Sequence, residues 1–461
     1  MNRHAVTTPD DPTSQERQYR RSRGALRTVG LVLFGLVALG AIGYLAATQP
    51  VSHAAVEASF RKLTPVHGIP TTAEDFDALT VKPDDQAADC IKVLSRPVSR
   101  SDRSDLVYFL RHGATDGDAA FLLQSMGREL QAARTLFATP KPFNFIDWRK
   151  SMATSSARAG SIAFGAQLLS LEAIAKAKEG DTDTSLLYLS NMARFFAEMP
   201  PGTTALEVLH RGAQTRQLAV VAVRATESRP GDTAFRLRLI NSVVNAWHSP
   251  EAPDVARSEV SLTLLFGRQL AGSTGTEFES PTITRFNERW SYVPKAMQAV
   301  MLEGAVQEVN RRQLQTLATI EQGWKEDRNL ADKLDDAQAK PAFGVVTMQQ
   351  AYQDLLLDQG TVGNKTLLVG LKNTEVVRDL VRAYLEYLDD PRKPLTATDW
   401  YSGKPFAYRA SPLAIWSVGP DLTDNSGASW DMNSGVVGPR PPRYDIVLAI
   451  DRYGRAQITG A

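Results

Sequence analysis

A run of oxygen-bearing side chains near the C-terminus has the clearest capacity for chemistry in this sequence. Asp421, Asp424, Asn425 and Asp431 lie close together in it, and carboxylate and amide oxygens are the ligands that Ca²⁺ prefers. The spacing differs from that of an EF-hand, because Gly427 falls one position late and no Glu closes the loop. The same side chains also form Asx turns in long surface loops. The sequence therefore leaves two interpretations, a calcium site at these four residues or a loop ordered by Asx turns.

A second group of reactive residue types is a string R-H-G-A-T that contains Arg111, His112 and Gly113. It resembles the R-H-G-x-T motif of the histidine phosphatase superfamily. The resemblance implies that His112 accepts a phosphoryl group and that Arg111 binds its oxygens. That chemistry needs a second His, and neither His210 nor His248 lies in the expected sequence context. We prefer the alternative, a helix end with Arg111 and His112 in the last turn and Gly113 as a left-handed cap.

Other enzyme signatures are weak or missing from the sequence. Two D-x-D strings, at 116–118 and 181–183, are of the kind that holds a metal in glycosyltransferases, but each lies at a predicted helix N-terminus, where Asp is a favoured cap. The six His show no ligand spacing, and the single Cys excludes an intrachain disulfide and a Cys-based zinc cluster. No serine-hydrolase elbow, zincin motif, P-loop or dinucleotide fingerprint is present. We therefore predict that the protein is not an enzyme.

The net charge and the length of the chain restrict the class of protein and the number of domains. The chain has 461 residues and a formal net charge of +1, so it lacks the basic surface of a nucleic-acid-binding protein. Its length allows one large domain or two to three ordinary domains.

Apolar residues at three- and four-residue intervals predict helices from about residue 105 to residue 393. One predicted helix at 119–137 places Phe121, Leu122 and Met126 on a shared face. Pro-Pro-Gly at 200–202 and Gly-Asp at 180–181 separate other helices. No convincing strand pattern occurs in this region, so the predicted fold class is mainly α.

The segment around Gly180 and Asp181 resembles one helical hairpin of the tetratricopeptide type. Alanines at 173, 175 and 177 let two helices approach closely, and Gly-Asp allows a tight reversal. The 34-residue period of that family does not recur along the chain. The resemblance implies an α-helical array by analogy.

Residues 28–47 predict a membrane anchor. They carry no charge and no proline, and a helix of this length is about 30 Å long, which matches the hydrocarbon core of a bilayer. Residues 1–27 hold six Arg, so the positive-inside rule places the N-terminus in the cytoplasm and the bulk of the chain outside the inner membrane, in the periplasm. A cleaved signal peptide and a buried core helix are the alternatives.

The residues after Pro394 predict a small antiparallel sheet of three strands, near Tyr408, at 415–418 and at 446–450. This stretch resembles the C-terminal tail of type II secretion pseudopilins. The matching residues are Asp399, Gly403, Pro405, Tyr408, Ser417, Gly419, Asp421, Asp445 and Ile446. The resemblance implies that the loop can hold calcium. The chain departs from pseudopilins before its apolar segment, where the prepilin cleavage pattern is missing, so filament assembly is not expected.

The predicted organisation is a cytoplasmic tail (1–27), a transmembrane helix (28–47), a linker with short helices (48–104), a helical domain (105–393) and a β module (394–461). We expect a single-pass envelope protein that binds or scaffolds a protein partner. One alternative is an accessory of a type II secretion or pilus-like apparatus. The other is an envelope hydrolase that uses His112.

Overall fold

The computed structural model is mainly helical and ends in a small antiparallel sheet, which confirms the predicted fold class in its coarse form. It describes residues 73–113, 115–138, 142–145, 152–270, 295–328, 330, 333–334, 364–411, 413–426, 445–450 and 456–459. In these residues the helices are α1 (Ala73–Leu79), α2 (Asp85–Leu94), α3 (Arg100–His112), α4 (Asp116–Ser125), α5 (Gly127–Ala138), α6 (Met152–Glu179), α7 (Thr182–Ala197), α8 (Ala205–Glu227), α9 (Thr233–Ser242), a 3₁₀ turn (Val244–Ala246), α10 (Ala252–Leu270), α11 (Lys295–Gly323) and α12 (Asn364–Asp389). The strands are β1 (Ala407–Ala410), β2 (Leu413–Ser417), β3 (Ile446–Ile450) and β4 (Ala456–Thr459).

Polar side chains begin many of the helices. Each of six N-cap side chains accepts a hydrogen bond from the backbone N–H three residues later, which satisfies a donor that the helix itself leaves unpaired. These caps are Asp84, Ser99, Thr115, Asp181, Thr204 and Asp232. The reversal between α6 and α7 is closed as predicted at Gly180, whose φ is 90°. There the N–H groups of Gly180 and Asp181 donate back to the carbonyls of Ala177 and Lys176.

Helix α6 is the centre of the first core and packs against α3, α5, α7 and α8. Its apolar residues are buried around most of its circumference, as is typical of a helix enclosed by others. Examples are Ile162, Phe164, Leu168 and Leu171. Full burial of each such side chain contributes about 1.5–3 kcal/mol to the free energy of unfolding, relative to leaving it exposed. An aromatic cluster joins α5, the 142–145 segment and α7, and it consists of Phe137, Phe143, Phe145, Phe195 and Phe196.

A fully buried arginine, Arg211 on α8, joins these elements. Its guanidinium donates to the Glu207 carboxylate at 2.9 Å and to the carbonyls of Phe143 and Phe195 at 2.8 Å. It also lies over the Phe145 ring, 3.8 Å from its centroid. Burial lowers the pKa of Arg211, and the charge of Glu207 opposes that effect. Loss of either partner would leave the other charge buried and uncompensated.

The second core lies where α10, α11 and the first part of α12 pack against the start of α8. Val208, Leu317, Ile320 and Leu371 are buried in it. Glu259 of α10 is buried beside it, and its carboxylate accepts the N–H of Ala205 at the start of α8. The carboxylate thus serves as a cap supplied by a different helix.

The sheet has the strand order β1-β2-β3-β4, and all neighbours are antiparallel. The three predicted strands are present as β1, β2 and β3. The fourth strand, β4, was not predicted, and it pairs Ile458 with Leu448. One face of the sheet packs on α12, because Ile415 and Leu448 share a core with Leu380 and Tyr384. The main core of the β module is therefore shared with α12, and a small separate cluster of Ala414, Trp416 and Val447 lies within the sheet itself.

Two sequence-based details are wrong. The single helix predicted at 119–137 is two helices, α4 and α5, that meet at Met126. Phe121, predicted to share a face with Leu122 and Met126, is 73% exposed, whereas Leu122 and Met126 are buried. Adjacent residues point about 100° apart around a helix, so Phe121 cannot follow Leu122 into the core.

The helical part begins before the predicted boundary at residue 105, which falls inside α3. Helix α2, within the predicted linker at 48–104, buries Ile91 and Leu94 in the first core. The predicted anchor at 28–47 and the tail at 1–27 lie outside the described residues. Across the described part of the chain, we find no helix with the length and apolar character that a bilayer crossing requires.

Candidate functional site

A cleft with a volume of about 460 Å³ lies between the α3–α4 turn and the C-terminal halves of α6 and α8. This volume is in the range of roughly 300–1,000 Å³ that is typical of ligand sites. The lining residues are Phe109, Gly113, Asp116, Ala119, Ala120, Leu123, Leu171, Ile174, Ala175, Lys178, Glu179, Arg224, Glu227 and Ser228. We refer to this feature as the α3–α8 cleft.

The turn that forms one wall of the cleft depends on glycine. Helix α3 ends at His112, and Gly113 follows with φ 74° and ψ 156°. This positive φ agrees with the predicted cap, but the ψ lies far from the left-handed helical region and in a region that is essentially restricted to glycine. Thr115 then accepts the N–H of Asp118 and begins α4, which places Asp116 at the rim of the cleft.

The interior of the cleft is apolar. Leu171 is buried, and Leu123 and Ile174 are partly buried against the first core. Ala120 and Ala175 are small side chains on facing helices, and the absence of larger groups at these positions leaves the volume open. An apolar group of a ligand would therefore be removed from water here.

The rim of the cleft carries both signs of charge. Lys178 lies 3.4 Å from Asp116, and both side chains are solvent-exposed, so this ion pair contributes little to stability. Arg224 is buried, and Glu227 follows it by one turn on α8. The cleft combines an apolar floor with donors and acceptors at its edge, an arrangement suited to an amphipathic ligand.

Among the described residues of the histidine phosphatase motif, Gly113 lines this cleft. The backbone of α3 ends at His112 as the preferred alternative predicted, while the side chains of Arg111 and His112 lie outside the described part. His210 is half-buried on α8, and burial lowers its pKa, with the nearby Glu207 charge acting in the opposite direction. His210 and His248 are not among the lining residues, so the hydrolase hypothesis stays a prediction.

Both D-x-D strings lie at helix N-termini, as predicted. Asp116 and Asp118 are in the first turn of α4. Asp181 caps α7 through the N–H of Thr184, and Asp183 pairs with Arg238 at 2.7 Å. Asp181 thus has a partner in the helix that it begins, whereas Asp116 and Asp183 form ion pairs with Lys178 and Arg238 of other helices.

The structure describes three of the four predicted calcium ligands. The carboxylates of Asp421 and Asp424 accept the N–H groups of Thr423 and Ser426 two residues later, which is Asx-turn geometry. Asp424 also accepts the indole N–H of Trp416 at 3.1 Å. The amide of Asn425 donates to Asp421 and its backbone N–H donates to Asp445. Asp431 lies outside the described residues. In the described part of the chain no cluster of three His, Cys, Asp or Glu suits a metal ion, and the calcium site stays a prediction.

Three of the residues that carry the pseudopilin resemblance, Asp399, Ser417 and Gly419, belong to one hydrogen-bonded unit. The buried Asp399 carboxylate accepts the Ser417 hydroxyl at 2.6 Å and the N–H groups of Tyr401 and Val418. The N–H of Gly419 donates to Ser417 in turn. These side chains order the turn before β1 and the end of β2, which is a structural role.

Sequence reasoning missed the charged rim of the cleft. Arg224 and Glu227 lie more than 100 positions from Asp116 in the chain, and no local pattern connects them. A faint signal is the presence of both charges in the last turn of an otherwise apolar helix segment, where an enclosed helix would carry small or apolar residues.

Comparison of the chain with models of protein families, with curated proteins and with solved structures finds no match.

Proposed function

We propose that the chain is a membrane-anchored, extracytoplasmic binding protein whose α3–α8 cleft receives a short amphipathic segment of a partner protein at the cell envelope. The observation that carries the proposal is the cleft itself, about 460 Å³ with an apolar interior and a rim of mixed charge. An apolar side chain of the partner would occupy the space beside Leu171 and Ile174. Charged groups next to it would meet Lys178 or Glu227.

The location follows from the sequence. Residues 28–47 are long enough and apolar enough to span a bilayer, and the six Arg before them favour a cytoplasmic N-terminus. The helical part then lies on the far side of the inner membrane, where it meets envelope proteins. A protein ligand suits a helical surface, since packed helices present grooves to extended or helical segments.

The test fills the cleft without disturbing the core. Ala120 is exposed and lines the cleft, so Ala120→Trp occupies the volume, and such a surface change alters stability by only about 0.5 kcal/mol. Ala88→Trp, at an exposed position of α2 away from the cleft, is the matched control. Full-length tagged protein is crosslinked in cells, extracted from the membrane fraction and analysed for captured partners.

We expect the native chain and Ala88→Trp to capture the same partner, and Ala120→Trp to capture about tenfold less, a loss of roughly 1.4 kcal/mol in binding. Equal capture by all three chains would exclude the cleft as the binding site. Absence of any captured protein from the native chain would reject the partner-binding proposal.

The second candidate, an accessory role in a type II secretion or pilus-like apparatus, is supported by the unit around Asp399 and Ser417, because those residues carry the resemblance to pseudopilin tails. The same crosslinking experiment separates the two candidates. Capture of secretion components favours the accessory role, and capture that depends on Ala120 without such components favours the general binding role.

A further inference from the structure

Three helices end at the α3–α8 cleft. Helix α3 ends just before Gly113, α6 ends at Glu179 and α8 ends at Glu227, and all three of these residues line the cleft. The C-terminus of a helix carries a partial negative charge of roughly one half, because the peptide dipoles are aligned and the last carbonyl groups lack helical partners. Three negative helix ends therefore meet at one cavity.

One helix begins at the cleft and acts in the opposite direction. The N-terminus of α4 carries a partial positive charge of similar size. Asp116 and Asp118 lie in the first turn of α4, where their carboxylates oppose that positive end. The three C-termini and the single N-terminus together contribute roughly one negative charge at the cleft.

The charged side chains around the cleft balance one another. In the described part of the chain, those that line it are Asp116, Lys178, Glu179, Arg224 and Glu227. Lys176 pairs with Glu179 at 2.6 Å beside the lining residues, so the side chains supply three charges of each sign. Arg229 lies beside Gly180 and is itself paired with Asp232 at 3.3 Å. The helix ends therefore determine the sign of the potential in the cleft, which is negative.

Glu227 is the lining carboxylate that is least accessible to water. It is half-buried, whereas Asp116 and Glu179 are exposed. Burial raises the pKa of Tyr384 on α12, and the negative charge of Glu227 adds to that effect. The Glu227 carboxylate thus acts partly through protein, where Coulomb interactions are stronger than in water. A cation in the cleft would gain most from Glu227.

We infer, building on the proposed function, that the α3–α8 cleft selects a basic amphipathic segment, in which Lys or Arg lies next to the apolar residue that enters the cavity. The apolar side chain packs beside Leu171 and Ile174. The neighbouring cation lies near Glu227, where the helix ends meet. The same helix ends repel an acidic segment of equal apolar content, so the cleft discriminates by charge as well as by shape.

The test compares two hexapeptides that carry the same dye and differ only in charge, Gly-Lys-Leu-Phe-Lys-Gly and Gly-Glu-Leu-Phe-Glu-Gly. Fluorescence anisotropy measures their binding to the full-length chain in detergent. Ala120→Trp fills the cleft, so its signal gives the binding that occurs elsewhere, including binding to micelles. We expect the native chain to bind the lysine peptide about tenfold more tightly. The preference should decrease between about 0.01 M and 0.15 M salt, because the Debye length falls from about 30 Å to about 8 Å.

Two substitutions at the rim should act in opposite directions. Glu227→Gln removes a carboxylate and should weaken binding of the lysine peptide about threefold, the scale of a partly exposed ion pair. Lys178→Gln removes a cation and should strengthen it. Glu326→Gln, at an exposed position outside the cleft, is the matched control and should bind like the native chain. If Glu227→Gln fails to fold, Glu179→Gln replaces it, because that side chain is 60% exposed.

Equal binding of the two peptides, or tighter binding of the glutamate peptide, would overturn the inference. Binding of neither peptide, or changes of the same sign in Glu227→Gln and Lys178→Gln, would also overturn it. These results leave the proposed function intact. That function fails on a different observation, when the native chain captures no partner in cells or when Ala120→Trp captures as much as the native chain.

Discussion

At the scale of single residues, His210 occupies an informative position beside the buried pair of Glu207 and Arg211. It is half-buried on α8, and its pKa is lowered from the ordinary value of 6.5 mainly by loss of hydration. The unfolded chain therefore binds a proton at His210 at a higher pH than the folded chain does. The contribution of neutral His210 to the free energy of unfolding is complete above the pKa that His210 has in the unfolded chain. It decreases as the pH falls below that value.

We predict that the native chain loses stability between about pH 7.5 and pH 5, and that His210→Gln reduces this loss. The urea midpoint measured across this range is the appropriate observable. His248→Gln, at an exposed position in the loop after the 3₁₀ turn, should retain the pH dependence of the native chain. Identical pH profiles for the native chain and His210→Gln would show that His210 titrates equally in both states.

The carboxylate of Glu308 affects the stability of the chain at lower pH than His210 does. Hydrogen bonds from Arg311 and Arg312 lower the pKa of Glu308 to about 2 from its ordinary value of 4.5. The contribution of Glu308 to stability is present above pH 4.5 and is lost as the pH falls toward 2. The effect of His210 can thus be measured before that of Glu308 begins.

At the scale of elements, α8 depends on a cap from outside its own sequence. Thr204 caps it locally, and Glu259 of α10 adds a buried carboxylate that accepts the N–H of Ala205 at 2.7 Å. Hydrogen bonds to charged groups contribute about 1.5–3 kcal/mol, and a negative charge favours a helix N-terminus. The start of α8 is therefore stabilised by the second core as well as by its own residues.

We predict that Glu259→Ala lowers the free energy of unfolding by about 2–3 kcal/mol, while Glu259→Gln, which keeps an acceptor, costs less. Thr115→Ala removes an exposed cap from α4 and should cost about 1 kcal/mol. Urea unfolding of the three variants gives the comparison. If Glu259→Ala costs no more than Thr115→Ala, the contact between α10 and α8 is not a significant cap.

The helices could be predicted well from sequence because their signals are local. The Gly-Asp reversal at Gly180, for example, depends only on nearby residues. The break at Met126 was missed, because the apolar pattern continues through it and the single glycine there, Gly127, does not by itself end a helix. Strand β4 was missed because Ala456–Thr459 is short and gains its structure by pairing with β3.

The candidate site could not be predicted in the same way. Gly113 and Asp116 were recognised as a helix end and a helix start, but the cleft also requires Lys178 and Arg224 from two later helices. Tertiary packing brings these residues together, and the local pattern of each helix carries no information about the partner that it meets.

At the scale of the whole molecule, the sheet and the helices share buried surface. Leu448 of β3 and Phe406 lie in one core with Leu380 of α12. Lys372 of α12 lies between the rings of Trp324 and Trp400, with its ammonium 4.1 Å and 4.7 Å from their centroids. The helical part and the β module are therefore expected to unfold together.

We predict that Leu448→Ala lowers the free energy of unfolding by about 2–5 kcal/mol through the cavity that it creates. The midpoint followed by helical circular dichroism should fall as far as the midpoint followed by tryptophan fluorescence, in a single transition. Leu187→Ala makes the same change at a position of α7 that is 55% exposed and should have little effect. Two separate transitions, with an unchanged helical midpoint, would show that the β module folds independently.

Because the core is shared, the chain can complete its fold only after its last strands have been synthesised. Until Leu448 has emerged from the ribosome, Leu380 and Tyr384 of α12 have no sheet to cover them. A transcript that stops early would release a chain with an uncovered apolar stripe, the type of surface that promotes aggregation. Premature stop codons close to the 3′ end of the coding sequence should therefore be nearly as harmful as early ones.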